Sequence, residues 1–151
     1  MILISACLVG QKVRYDGKAK YDARCNALIE SGQAISACPE VLGGLSTPRD
    51  PAEIVGGDGF NVWEGSARVI THKGEDVTEA YKRGAARTLE IVQEMKCNTV
   101  ILKANSPSCS SVNIYDGNFS GQLNPGVGVT TALFLNNGID VYDEHSYFME
   151  N

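Results

Sequence analysis

The sequence lacks several features that would assign a protein to a class from composition alone. Its 151 residues contain no C-x-x-C pair, only two histidines and no apolar run long enough to span a membrane. Basic residues number 13 against 18 acidic ones, a formal charge of −5, so the basic balance typical of proteins that bind nucleic-acid polymers is absent. We therefore expect neither a nucleic-acid polymer nor a membrane as a partner. The sequence leaves the oligomeric state open.

The cysteine count is odd, which excludes a framework in which every cysteine is paired within the chain. An odd count in a chain of this size favours a reducing compartment. Residues 1–10 are apolar, but no basic flank precedes them and the polar stretch QKVRYDGK follows at once, unlike a signal peptide. We expect a cytoplasmic protein with free thiols. The five cysteines are Cys7, Cys25, Cys38, Cys97 and Cys109.

Nothing in the sequence indicates a second domain. Hydrophobic residues make up 43% and charged residues 21%, which is ordinary for a globular protein. A chain of this length can bury about 70% of its unfolded surface around one core. Because no repeat, linker or charge block divides the chain, we predict that residues 1–151 form a single domain.

Short apolar runs alternate with helical patterns along most of the chain. The middle stretch 43–65, rich in glycine and proline, is predicted to be a long irregular loop, and 67–71 an edge strand or hairpin arm. The alternation predicts an α/β fold, a three-layer αβα sandwich around a mainly parallel, Rossmann-like sheet with long strand-end loops. Buried strands are predicted at 2–4, 34–37, 99–102 and 139–142, and helices at 21–30, 76–95 and 128–136.

Three of the cysteines follow predicted parallel strands. Cys7 follows the first strand, Cys38 the second, and Cys109 lies in the loop after the third. Loops at the carboxyl ends of parallel strands share one edge of the sheet, where ligands usually bind. Cys25 falls inside a predicted helix and Cys97 precedes its strand. We therefore expect three candidate ligands and two cysteines outside the site.

The chemistry of three thiols narrows the cofactors that fit. Soft thiolates select zinc, copper(I) or iron–sulfur clusters. A structural zinc site normally has four protein ligands, whereas a cubane cluster held by three cysteines leaves one iron open to solvent or substrate. The simpler alternative is that the thiols are small core residues, because free cysteine is among the most buried residue types.

Ordered motifs along the chain resemble a bacterial family known as domain of unknown function 523. In the first half they are SACL at 5–8, RYDG at 14–17, CPEVLGGL at 38–45 and PR at 48–49. In the second half they are GEDVT at 74–78, KANSPSC at 103–109, IYDG at 114–117 and GVGVT at 126–130. The resemblance covers nearly the whole chain.

The resemblance implies a specific chemistry, because this family includes thiouracil desulfurases that use a [4Fe-4S] cluster bound by three cysteines. The matching cysteines are Cys7, Cys38 and Cys109. It also implies a carboxylate and a hydroxyl as acid–base helpers, matched here by Glu40 and Ser106. One departure is Ser110, where many relatives have glycine. An open cluster is sensitive to oxygen, so its loss on aerobic preparation is expected.

The resulting hypothesis is an enzyme that removes sulfur without net redox change from a small thiolated compound, such as a thiouracil-type nucleobase. Two alternatives stay open: a non-catalytic module that binds a cluster and carries or senses sulfide, and a thiol or zinc protein without a cluster. We predict that Phe60 and Trp63 cover the hydrophobic core and do not stack on a substrate ring. Five further residues either contact substrate or only hold loops, namely Arg14, Asp16, Arg49, Lys103 and Asp116.

Overall fold

Four parallel strands form the central sheet in a computed structural model that describes residues 1–150. The order of the strands across the sheet is 34–37, 2–5, 99–102 and 140–143, and Ile2 lies opposite both Ala34 and Thr99. The two central strands, 2–5 and 99–102, are buried beyond their first residue and rich in branched side chains, as expected where a parallel sheet is covered on both faces, whereas the two edge strands are partly exposed. The predicted α/β class and parallel sheet are confirmed. The strands are β1 Ile2–Ser5, β2 Ala34–Ala37, β5 Thr99–Leu102 and β8 Asp140–Asp143.

Helices flank the sheet on both faces. Leu3 packs with Val92 and Phe134 on one face, and its neighbour Ile4 packs with Cys25 on the other. No helix within residues 1–150 is long and apolar enough to cross a membrane. A 3-10 turn, Ala6–Val9, follows β1. The helices are α1 Ala23–Glu30, α2 Pro39–Leu42, α3 Gly59–Glu64, α4 Thr78–Glu94, α5 Val129–Asn136 and α6 Ser146–Glu150.

The middle stretch is more regular than the sequence predicts, so the expected irregular loop at 43–65 is wrong in part. It contains β3, Ala52–Val55, which pairs with β4, Arg68–Thr71, in an antiparallel hairpin. The second element there is α3, whose first turn is closed by a capping box between Asp58 and Asn61. The two elements could not be predicted because each is short and is preceded or followed by glycine, and α3 itself begins at Gly59. The predicted hairpin arm at 67–71 is confirmed.

A second hairpin, which the sequence analysis did not predict, covers the first. Its strands are β6, Asn113–Tyr115, and β7, Leu123–Pro125. Each strand has only three residues, too few for an alternating pattern to stand out. The two hairpins stand apart from the central sheet and carry residues to its carboxyl edge.

Helix α4 confirms the clearest prediction, with small differences at both ends. The Asp76 carboxylate accepts from the Thr78 backbone N–H at 2.9 Å, although Val77 occupies the N-cap position. Tyr81 and Val92 are buried along the predicted stripe, but Met95 follows the end of the helix and is 44% exposed. The stripe therefore ends one turn earlier than predicted.

Helix α2 packs on α4 with the two backbones in contact. A Cβ on Gly84 of α4 would overlap the carbonyl oxygen of Pro39, and a Cβ on Gly43 would overlap that of Ala80. Glycine at both positions permits this close approach. The contact holds the Cys38-Pro39-Glu40 segment against the middle of α4, which fixes one wall of the site described below.

Candidate active site

The three strand-end cysteines line one cavity at the carboxyl edge of the sheet. Cys7 lies in the 3-10 turn after β1, Cys38 is the N-cap residue of α2, and Cys109 lies in the loop after β5. The cavity has a volume of about 480 Å³. The structure thus brings together three thiols that the sequence separates widely.

Burial dominates the ionisation of these thiols. It raises the pKa of Cys7 to about 11, with a further increase from Cys38 that Lys103 and Arg14 oppose. It raises the pKa of Cys38 as well, and it raises that of Cys109 the most strongly, with help from Glu40. With nothing bound, the thiols are protonated at neutral pH, so any metal centre that binds thiolates here displaces protons.

The other two cysteines lie outside the cavity. Cys25 is buried in α1, in the same apolar cluster as Cys7, and burial raises its pKa to about 12. Cys97 precedes β5, and burial raises its pKa against a smaller opposing effect of the chain's amino terminus. Because β1 begins at Ile2, the nearby amino terminus places Cys97 at the amino edge of the sheet. All five cysteines are free thiols.

Glu40 faces the same cavity from the first turn of α2 and is held by one of its two oxygens. Arg49 donates to Oε2 from Nη2 at 2.7 Å and from Nε at 3.0 Å, and the Tyr81 hydroxyl donates to it at 3.1 Å. The pair is nearly enclosed, because the Arg49 and Glu40 side chains are 8% and 14% exposed. Breaking a buried pair of this kind typically costs about 3–5 kcal/mol.

The Glu40 carboxylate raises the pKa of each of its two partners. Burial lowers the pKa of Arg49, but the charge and hydrogen bonds of Glu40 outweigh burial, so the pKa lies above its usual value. Burial and the Glu40 carboxylate raise the pKa of Tyr81 well above 10. Both partners therefore keep their protons at neutral pH and donate them continuously to Oε2.

Ser106 connects Glu40 to the loop that carries Cys109. Its Oγ accepts from the backbone N–H groups of Ser108 and Cys109, each at 3.1 Å. The same hydroxyl donates towards Glu40 Oε1 at 3.5 Å, a long contact that leaves this oxygen open to the cavity. Ser110, the departure from the family pattern, is buried and hydrogen-bonds to the Asn113 carbonyl, so its side chain fits the turn.

The structure separates the loop-holding residues from those that face the cavity. Arg49 also donates to the carbonyl oxygens of Val13 and Ser46, so it holds loops and Glu40 together. Asp116 stays in its own turn, where it accepts from Asn118 N and Ser120 Oγ, outside the cavity. Arg49, Arg14 and Lys103 all line the cavity. The carboxylates paired with the last two do not line it, Asp16 at 3.6 Å from Arg14 and Glu144 at 3.1 Å from Lys103.

The cavity wall includes aromatic and acidic residues that the sequence analysis did not select. Tyr15 and Tyr115 line it, although each stands in a motif already singled out, and Tyr81 was predicted only as a core residue. Glu53 lines it from β3. Trp63, by contrast, donates to the Val129 carbonyl at 2.9 Å and packs on the core away from the cavity, as predicted.

The arrangement of the thiols bears on the kind of metal centre. Among the side chains that the structure describes, those of residues 1–149, no three or more His, Cys, Asp or Glu groups are arranged to hold a single ion. A single zinc ion draws its thiolates to about 2.3 Å from one point. The thiolates of a cubane cluster bind different irons, so three thiols that line one cavity without converging on a single point fit a cluster better than one ion.

Comparisons with known proteins agree with the architecture. The sequence model of the family described as 2-thiouracil desulfurase matches residues 2–146. The chain is 50% identical over 145 residues to the uncharacterised protein YbbK of Bacillus subtilis (strain 168), covering 96% of each chain.

A solved structure of a [4Fe-4S]-dependent thiouracil desulfidase, TudS, superimposes with a TM-score of 0.86 at 42% identity. The match covers 98% of this chain and 93% of that one. At this identity and coverage the two share a fold and the order of their elements. The chain therefore belongs to the 2-thiouracil desulfurase family.

Proposed function

We propose that the protein is a desulfurase that uses a [4Fe-4S] cluster bound by Cys7, Cys38 and Cys109. The observation that carries the proposal is that these three thiols and the Glu40 carboxylate line one cavity. The donor set suits an iron–sulfur cluster, because it consists of three soft sulfurs, two buried and that of Cys38 partly buried, and the side chains of residues 1–149 offer no arrangement for a single ion. When bound, such a cluster supplies an iron with an open position, a soft Lewis acid matched to thiocarbonyl sulfur.

The proposed substrate is a small thiolated compound of the thiouracil type. The reaction converts a thiocarbonyl and water into a carbonyl and hydrogen sulfide: the C–S bonds break, C–O bonds form, and no net electrons are transferred. The cavity volume of about 480 Å³ lies in the usual range for small-molecule sites. Tyr15 and Tyr115 give it aromatic walls suited to a flat ring.

Glu40 is the proposed general base. Arg49 and Tyr81 occupy Oε2, so Oε1 is the oxygen that takes a proton from the attacking water. Ser106 is the proposed hydroxyl partner of this base, because two backbone N–H groups fix its oxygen and its O–H donates towards Oε1. Both lone pairs of its oxygen are thereby used, so Ser106 orients Oε1, and the proton that Glu40 accepts returns from Oε1 itself to the departing sulfur.

The test is sulfide release from 2-thiouracil by anaerobically prepared protein reconstituted with iron and sulfide. We expect uracil and sulfide in equal amounts, from protein that holds about four irons per chain. Four bound irons without turnover would favour the sulfide-carrying or sensing alternative. A folded protein that binds no iron would contradict the proposal. We place the protein in the cytoplasm, where its thiols stay reduced.

A further inference from the structure

A second buried carboxylate faces the cavity and has no role in the chemistry proposed above. Glu53 lies in β3, where Ile54 packs into the core, so Glu53 points to the opposite face of the hairpin. An acidic side chain on that face could stay in solvent, yet Glu53 is only 8% exposed. Burial of a carboxylate is costly unless it is hydrogen-bonded, so its partners are informative.

The turn of the second hairpin is shaped around this carboxylate. The backbone N–H groups of Gly117 and Phe119 donate to Oε1 at 2.9 and 3.2 Å. Gly117 has φ +89°, and a Cβ there would lie 2.7 Å from the Ile54 carbonyl oxygen. Phe119 has φ +55°, a left-handed conformation that is rare for a bulky residue. Such strain is concentrated at functional sites.

The other oxygen of Glu53 is available to a ligand. Both hydrogen bonds use Oε1, and no enclosed nitrogen or oxygen in the described side chains, residues 1–149, lacks a partner. Oε2 is therefore accessible, and the residue lines the cavity. Of the three carboxylates in the cavity wall, Glu40 is paired with Arg49 and Asp50 with Lys73. Glu53 has no ion pair among the described residues.

We propose that Glu53 determines substrate specificity by accepting, through Oε2, a hydrogen bond from a ring N–H next to the thiocarbonyl carbon. The inference rests on the proposed desulfurase function and names its substrate class: cyclic thioamides and thioureas with a free N–H beside the C=S group. A carboxylate accepts hydrogen bonds and cannot donate them when ionised. A site built around such an acceptor rejects analogues without the donor far more strongly than an apolar wall does.

The diagnostic variant is Glu53→Gln. The two backbone N–H groups keep the amide oxygen at the position of Oε1, so the NH2 group faces the cavity and opposes a ring N–H. We expect kcat/KM for 2-thiouracil to fall about 10- to 100-fold, mainly through KM, because hydrogen bonds to charged groups are worth about that factor. Glu90→Gln, an equal charge change on the exposed face of α4, should leave kcat/KM unchanged.

Methylated substrates separate recognition from a purely structural role. Wild type and Glu53→Gln are compared on 2-thiouracil, 1-methyl-2-thiouracil and 3-methyl-2-thiouracil, with inhibition by the corresponding uracils as a binding measurement. We expect the effect of Glu53→Gln to vanish for the one compound whose methyl group replaces the recognised N–H. Thermal unfolding of both proteins reports on the turn itself.

Each outcome decides between the possibilities. An equal loss on all three compounds, accompanied by a lower unfolding temperature, would assign Glu53 to holding the turn and overturn the inference. An unchanged kcat/KM for 2-thiouracil would overturn it as well. If the wild-type protein releases no sulfide from any of the three compounds, the proposed function itself fails, a result distinct from either of these.

Discussion

Glu40 uses its two carboxylate oxygens for different purposes. Oε2 receives three donated hydrogen bonds from Arg49 and Tyr81, while Oε1 has only the long contact with Ser106. One oxygen therefore fixes the group in place and the other is left for chemistry. This division explains how a flexible side chain could act as a base at a defined point in the cavity.

At Glu40 we expect Glu40→Gln to separate turnover from cofactor binding. The amide keeps the shape of the side chain but cannot accept a proton, so the rate of sulfide release should fall by about 10²–10⁴-fold. Iron content should stay at the wild-type value, because Glu40 is not a proposed ligand. Glu64→Gln, on the exposed side of α3, is the matched control. A wild-type rate in Glu40→Gln would remove Glu40 from the mechanism.

The cysteines allow a prediction with internal controls. Replacing Cys7, Cys38 or Cys109 by serine should abolish binding of the cluster, because each supplies one of three thiolates from the cavity wall. Cys25→Ser and Cys97→Ser should retain full iron content, since neither side chain lines the cavity. Iron and sulfide analysis of the five reconstituted variants measures this. Loss of iron in Cys25→Ser would mean that the ligand set extends into α1.

At the scale of elements, the site depends on the contact between α2 and α4. Gly43 and Gly84 bring the two backbones together, and this contact sets Glu40 above Tyr81. The Asp58–Asn61 capping box and the two hairpins then place β3 and its Glu53 at the cavity wall. Short elements thus position the side chains, while the central sheet supplies the common edge.

We expect Gly84→Ala to destabilise the protein although alanine is the better helix former. Its Cβ would overlap the Pro39 carbonyl, so α2 must move, and overpacking of this kind costs about 1–3 kcal/mol. Urea unfolding measures the free energy, and sulfide release should fall with it. On the exposed side of the same helix, Ala86→Gly should cost about 1 kcal/mol through helix propensity alone and leave sulfide release per folded molecule unchanged. A stabilised Gly84→Ala protein would contradict the packing described for α2.

At the same scale, the sequence predicts the sheet better than the hairpins. Runs such as Thr99–Leu102 are mostly apolar and bounded by polar loops, so their burial can be predicted directly from the sequence. β3 escapes detection because Glu53 interrupts its apolar run and Pro51 and Gly56 border it. Its carboxylate is buried by a turn more than sixty residues further along the chain. No local pattern carries that information.

Only part of the site can be predicted from the sequence. Cysteines that follow strands could be placed at one edge because parallel topology requires it. The partnership of Glu40 with Tyr81 could not be predicted, because it depends on the close approach of two helices and a separation of 41 residues. The sequence identifies Tyr81 only as one member of the apolar stripe of α4.

For the whole molecule, we expect residues 1–151 to unfold as one cooperative unit, in keeping with a single domain. Helix α5 contributes Val129 to the apolar cluster of the hairpins and Phe134 to that of the central sheet, so the two clusters are joined through one helix. Urea unfolding followed by circular dichroism and by Trp63 fluorescence should give coincident transitions. Two separated transitions would divide the chain into independent units.

The positions of the three cavity cysteines also set an order of events during biosynthesis. They belong to three loops, and even the two nearest in sequence, Cys7 and Cys38, are separated by helix α1 and strand β2. An unfolded chain therefore holds no two of them at a spacing that could capture iron locally, in contrast to a zinc finger, whose metal drives folding. We expect the polypeptide to fold first and to bind its cluster afterwards. On heating, the iron-free protein should therefore already show the cooperative unfolding transition of a folded protein.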